Sequence, residues 1–315
     1  MNNRILDIGS AQIKLEEFKK DPQYVSSLYA IEENIAFLEA IKSLPRYIAW
    51  LFGRAQKIDG TRLLELTDFP VEEWDIKMHS RLIGIQKQDR PGLIKPLVDA
   101  VVLFIQDQVK KEAKKDIVLA DLGAGGAELD LQIAKRVLQM NVQQKIVILA
   151  IDKSLTTRKI ALENLAEIKD KVELVEAGEV NMMQLDEIKR ASKKNVIIVL
   201  CTNNIFELEK VFPKKYFDVV YHSLFKHHLG AVDSKRLDSV LVEIAKTIFE
   251  YDGFKNMLIV PLQTLVGWKY PNFLNAEIFS NLRFQTKKHT RALYSGKGKL
   301  SFYAGLGNYL FINTP

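Results

Sequence analysis

Asp116–Asp130, DIVLADLGAGGAELD, is the stretch on which the reading of this chain turns. An apolar run ends in an acid, Asp121; glycines follow at Gly123, Gly125 and Gly126, and a helical pattern begins near Ala127. Glycine lets the backbone turn sharply and lets a ligand come close to the main chain. Strand, glycine-rich turn and helix in that order open a doubly wound α/β sheet. A dinucleotide site asks for Gly-x-Gly-x-x-Gly. Here Glu128 stands in the third place, and its carboxylate would oppose a pyrophosphate. Asp121, two residues before the first glycine, suits a ligand that carries a cationic amino group instead.

Working outward, the next strand, VILAID, ends in Asp152. An acid at the carboxyl end of this strand can accept both hydroxyls of a ribose. Acid-x-Gly-x-Gly followed by an acid ending the second strand therefore reads as adenosine joined to an amino acid. Further β-branched runs follow at Val172–Val175, Val196–Cys201, Phe217–Tyr221 and Met257–Val260, alternating with helical stretches. Most are continuously apolar, as parallel strands covered on both faces should be. At the end, Arg291–Tyr294 and Tyr309–Asn313 flank the glycine-rich SGKGKLSFYAGLG with no helical pattern between them, which predicts an antiparallel pair. Upstream of Asp116 the pattern is helical: Val25–Leu44, Tyr47–Lys57, and a stripe Leu97, Val101, Ile105, Val109 with Pro91 or Pro96 in its first turn. The expected architecture is a Rossmann-like doubly wound sheet over residues 116–315, mostly parallel with an antiparallel C-terminal hairpin, preceded by a helical N-terminal region over residues 1–115. A second acid-and-glycine stretch, ILDIGSA at Ile5–Ala11, lacks both a second glycine and a following acid-ended strand, and no site is read there.

Composition bounds the rest. The chain has 315 residues, 47% of them hydrophobic and 27% charged, which is globular rather than disordered. Its most apolar stretch, Val98–Ile105, already contains Asp99, far from the ~20 apolar residues of a spanning helix. The amino terminus has no apolar signal core, so the expectation is a soluble, cytoplasmic protein. One cysteine, Cys201, excludes an internal disulfide and a multi-cysteine zinc site. The net charge of +6 is local: no acid follows Glu277, whereas Arg283, Lys287, Lys288, Arg291, Lys297 and Lys299 do. Such a segment is ordinarily a solvated face, and it is also able to steer an anionic substrate or nucleic acid.

The region from Asp116 to Pro315 resembles the class I S-adenosylmethionine-dependent methyltransferases. DLGAGGAELD matches their first motif, with Ala127 where a third glycine is common, and FDVVYHSLFKHHL (Phe217–Leu229) is similar to the fourth-strand motif of ubiquinone/menaquinone-biosynthesis-type members. The resemblance implies S-adenosyl-L-methionine as cofactor, with Asp121, Gly123 and Gly125 at its methionine moiety and Asp152 at its ribose. The adenine contact should end the third strand, where two endings compete: Glu179, and Asn203 or Asn204. The second pair lies closer to Phe217, as the family spacing prefers, and would make Val172–Lys194 an insertion. Asn can donate and accept, so it can address an adenine edge.

Methyl transfer from a sulfonium is an in-line displacement, and the protein mainly aligns donor and acceptor. An oxygen or carbon acid acceptor also needs a base. His222, His227 and His228 cluster after the fourth strand, and Tyr221 and His222, nearest its end, are the candidates for base or substrate contact; a packed core histidine is the competing reading. His79 and His289 stand alone in the sequence and carry no assignment. The absence of an Asn/Asp-Pro-Pro-aromatic tetrapeptide disfavours methylation of exocyclic base amines, and Cys201 is misplaced for a cytosine-attacking nucleophile. The expected partner is a small-molecule methyl acceptor, with Tyr47, Trp50, Phe52 and Trp74 of the helical region as candidate pocket walls. The alternatives are an RNA methyltransferase gripping phosphate through the basic C-terminal segment, and a binding module on the same fold.

Overall fold

The computed structural model describes residues 94–112, 115–140, 142–153, 155–229, 231–253, 287–303 and 308–315, with the isolated residues 43, 45, 46 and 49. The expectations at Ile5–Ala11, Val25–Leu44, Tyr47–Lys57 and Met257–Val260, and the aromatic residues of the helical region, lie outside the described residues. The chain divides into two compact units. One comprises Ser80–Phe225, Lys235–Asp252 and Tyr294–Pro315, and holds the sheet; the other comprises Met1–His79, Lys226–Ser234 and Gly253–Leu293.

The sheet has eight strands: β1 (Ile117–Leu122), β2 (Ile146–Ile151), β3 (Glu173–Glu176), β4 (Val196–Cys201), β5 (Phe217–Ser223), β6 (Ala245–Gly253), β7 (Lys299–Tyr303) and β8 (Asn308–Asn313). Their spatial order is β3-β4-β2-β1-β5-β6-β8-β7. The pairs β1–β2, β1–β5, β2–β4, β3–β4 and β5–β6 are parallel, and β7–β8 is antiparallel. β1, β2 and β4 are buried at every residue, which explains their unbroken apolar runs: both faces are covered, so neither can carry polar side chains.

One face packs against α1 (Lys95–Lys111) and α2 (Glu128–Gln139). Leu97, Val98, Val101, Val102 and Ile105 form the inward stripe of α1, with a proline in its first turn where a missing N–H costs nothing. They share a core with Leu129, Ile133, Ala134 and Val137 of α2 and with Ile117, Leu119, Ile146, Ile148, Val219 and Tyr221 of the strands. α1, grouped by its sequence pattern with the helical region, thus belongs to the core beside the sheet. α3 (Leu155–Leu165) follows β2, and α4 (Met182–Ala191) follows β3. α4 opens with a capping box in which Asn181 and Gln184 satisfy each other's backbone N–H.

Two sequence expectations are corrected. Residues Arg291–Tyr294 are not a strand: they end a helix, α5 (Lys287–Tyr294), in which Thr290 and Tyr294 are buried at i, i+4. The helix stops before Gly296 (φ +73°), and the hairpin partner of β8 is β7, which lies inside the glycine-rich stretch. β6 was not expected; its run, AKTIFEYDG, mixes charge with aromatics and mimics no simple period. The stretch Val172–Lys194, expected as an insertion, holds β3 and the whole of α4, and β3 takes the outer edge so that β4 borders β2.

Candidate functional site

The carboxyl ends of β1, β2, β4 and β5 converge, and the turn after β1 organises them. Gly123 N–H and Ala124 N–H both donate to the Ile151 carbonyl, at 2.9 and 3.1 Å, so the turn folds back over the end of β2. Gly123 (φ +68°) and Gly125 (φ +54°) take left-handed conformations, and so does Ala127 (φ 54°) at the start of α2. That strained place is where a third glycine would relieve the backbone. A Cβ on Gly123 would sit 2.3 Å from Phe225 Cδ2, whereas one on Gly125 would meet nothing closer than 4.0 Å among the described residues. Gly123 is therefore needed for packing, and the space beside Gly125 is open to a ligand.

Asp152 locks this turn to the second strand. Its Oδ2 accepts the Gly125 N–H at 2.9 Å, its Oδ1 accepts the Thr157 hydroxyl at 2.9 Å, and its own N–H donates to the Cys201 carbonyl at 3.0 Å. Thr157, in the first turn of α3, is a partner that the sequence pattern did not single out. A carboxylate oxygen can accept more than one hydrogen bond.

Asp121 and Tyr221 sit on one face of the sheet, opposite in the β1–β5 register. Both are buried. The Tyr221 hydroxyl donates to Asp130 Oδ1 at 2.6 Å; burial first, then the charges of Asp130 and Asp121, push its ionisation well above the usual phenol range. Tyr221 is thus a neutral tie between β5 and α2. His222 points to the other face. It is fully buried, with Nε2 3.7 Å from Glu250 Oε2 of β6 and its ring edge-on to Phe225. Glu250 is itself buried, and its Oε1 accepts the hydroxyls of Tyr309, at 2.6 Å, and Tyr294. This carboxylate, supported by two tyrosines from the C-terminal segment, was missed by the sequence reading because β6 was missed.

Asn203 and Asn204 follow β4. The Asn203 amide is buried and makes a two-way bond with Val180, receiving from its N–H at 2.9 Å and donating to its carbonyl at 2.8 Å. Asn204 is exposed and caps the following helical turn through Phe206 N–H. Glu179 is exposed beside them. Cys201 is buried, and burial raises its thiol to about 12, opposed in part by the Asn203 N–H and the charge of Arg158. His227 is buried in the second unit, while the side chains of His228 and His289, and His79 altogether, lie outside what is described.

Two buried polar atoms, Arg158 Nη2 and Ser223 Oγ, have no hydrogen-bond partner among the described residues. Both belong to residues near the carboxyl ends of strands. Open space at Gly125, the carboxylate of Asp152 at the end of β2 and these two atoms fit an adenosyl amino acid, whose hydroxyls, amine and ring nitrogens are hydrogen-bonding groups. Among the described residues no group of three or more His, Cys, Asp or Glu is placed to hold a metal ion, and no helix is long and apolar enough to cross a membrane.

No family model and no curated protein matches the chain. The solved structures that match include S-adenosylmethionine-dependent methyltransferases. The CurJ carbon methyltransferase is 13% identical, with 97% of this chain and 70% of that one covered and a TM-score of 0.48. The DszA carbon methyltransferase is 9% identical, covering 96% and 69%, with a TM-score of 0.49. A candidate methyltransferase of this class from Methanococcus maripaludis is 15% identical, covering 78% and 95%, with a TM-score of 0.43. At such identities and scores these are likenesses only, and the chemistry below rests on the residues of this chain.

Proposed function

We propose that this chain binds S-adenosyl-L-methionine and methylates a small-molecule acceptor that must give up a proton. The observation that carries the reading is Asp152: a carboxylate fixed by Gly125 N–H and Thr157 Oγ1, at the end of the second strand and beside the glycine turn. That arrangement suits a pair of vicinal hydroxyls. Asp121 takes the amino group of the methionine half, Gly123 lets the turn fold against Phe225, and Gly125 lets that half approach the main chain. Asn203 shapes the turn after β4 through Val180 and Asn204 lies at its rim, so the adenine contact belongs to this turn.

When bound, the cofactor supplies an electrophilic methyl group on a sulfonium. The chain holds the acceptor in line and takes its proton. His222 is the base, and Glu250 stabilises the imidazolium that results, its carboxylate held in place by the hydroxyls of Tyr294 and Tyr309. Tyr221, tied to Asp130 on the opposite face, keeps β5 in place.

The test is thermal unfolding and calorimetry with S-adenosylhomocysteine, with NAD as control. A ligand at a hundredfold excess over its Kd adds ~2.7 kcal/mol to a fold that alone binds it. Stabilisation by the homocysteine compound and none by NAD is expected. Asp152→Ala should weaken its binding about a hundredfold, since two charge-assisted hydrogen bonds are lost. His222→Gln should leave that affinity within a few-fold and abolish turnover. No binding by the wild-type protein would end this reading.

A further inference from the structure

We propose that Arg158 is a binding residue for the nucleoside half of the cofactor, its Nη2 donating to a ring nitrogen of adenine. The inference rests on the functional reading above but on a residue outside the motifs that led to it. Arg158 follows Thr157 in the first turn of α3, and Thr157 is fastened to Asp152. Its positive charge is felt at the thiol of Cys201, the last residue of β4. Asp152 N–H in turn meets the Cys201 carbonyl. The guanidinium therefore belongs to the junction of the β2 and β4 ends, and in an open parallel sheet this carboxyl edge is the ligand side.

Nη2 is shut off from solvent and has no hydrogen-bond partner among the described residues, although the side chain as a whole is only part-buried. Proteins satisfy the great majority of such atoms, and leaving a donor of a charged group unpaired is unfavourable. A guanidinium carries only donors, so the partner it lacks can only be an acceptor. Next to a ribose held by Asp152, adenine presents ring nitrogens with in-plane lone pairs, and a fixed planar donor matches them. The other orphan, Ser223 Oγ, lies on β5 at the same edge of the sheet. Atoms without partners thus gather on the ligand side.

The experiment is calorimetric titration of the full chain and of its Arg158→Met and Arg158→Lys variants with S-adenosylhomocysteine and with 5′-methylthioadenosine, which lacks the amino-acid half. Arg158→Met should weaken both ligands by the same factor, about ten- to a hundredfold. Arg158→Lys should recover only part, because an ammonium cannot reproduce the planar fork. The melting temperature of ligand-free Arg158→Met should stay level or rise, since an unpaired buried donor has been removed; a purely structural arginine would lower it. Unchanged affinities in both variants, with the wild-type protein binding, would overturn the proposal. So would a loss confined to S-adenosylhomocysteine, which would move the guanidinium to the amino-acid half. Absence of binding by the wild-type chain would instead refute the cofactor reading itself.

Discussion

Gly123→Ala separates backbone strain from steric conflict, because the same fold offers a matched control. Gly123 and Gly296 have nearly the same φ, +68° and +73°, but a Cβ on Gly123 would lie 2.3 Å from Phe225 Cδ2, whereas one on Gly296 meets nothing within 4 Å among the described residues. Left-handed backbone costs an L-residue ~1–2 kcal/mol, and Gly296→Ala should destabilise by that amount alone. At Gly123 the ring must also withdraw from 2.3 Å to the 3.4 Å of ordinary contact. Overpacking of that kind costs ~1–3 kcal/mol, so Gly123→Ala should lose ~2–5 kcal/mol in all. Urea unfolding followed by far-ultraviolet circular dichroism measures both. In a Phe225→Ala background the cost of Gly123→Ala should fall to the Gly296 level, a coupling that a double-mutant cycle isolates. Equal costs at the two glycines in the wild-type background, or no coupling to Phe225, would refute the packing of this turn against the segment after β5.

Other consequences are quicker to check. Tyr221→Phe removes the 2.6 Å bond to buried Asp130 and should destabilise by ~1–3 kcal/mol in the same unfolding assay, while leaving affinity for S-adenosylhomocysteine near wild type. Cys201 and Tyr251 are each raised to about 12, chiefly by burial, so the folded state favours their neutral forms. Their contribution is complete below the ordinary values of 9.0 and 10.0 and is lost as pH climbs toward 12. Each group removes ~1.4 kcal/mol per pH unit over its window. Urea midpoints taken from pH 8 to 11 should therefore fall steadily above pH 9, and a midpoint that stays level would contradict the burial. For the same reason the Cys201 thiol should react with a disulfide reagent only at the rate of unfolding, in native buffer and in stepped urea alike. Tyr309→Phe, which takes one donor from Glu250, should lower kcat more than KM and shift the pH–rate profile, whereas a packing role alone would leave that profile where it was.

The parts of this molecule that sequence exposes are those where one physical requirement acts on neighbouring residues. The end of β1, the glycine turn and α2 are contiguous, and buried parallel strands admit little but β-branched and aliphatic side chains, so β1, β2 and β4 stand out as apolar runs and their ends place Asp121 and Asp152. β6 is different. Thr247, Glu250 and Asp252 are buried there among aromatics, and polar side chains from β8 and α5 meet the strand: Tyr309 and Tyr294 meet Glu250, and Asn308 Nδ2 donates to the Tyr251 hydroxyl. No local pattern can announce a strand whose polar residues are satisfied 44 to 59 positions away. The same long reach hides the proposed support of His222 and the tie of Tyr221 to Asp130. It also accounts for α5: within KKHTRALY only Thr290 and Tyr294 are seen to turn inward, too few to mark a helix against a background of glycine and lysine. Local spacing thus places the two acids proposed to hold the ligand, whereas the proposed base depends on a carboxylate that only the sheet order brings beside it.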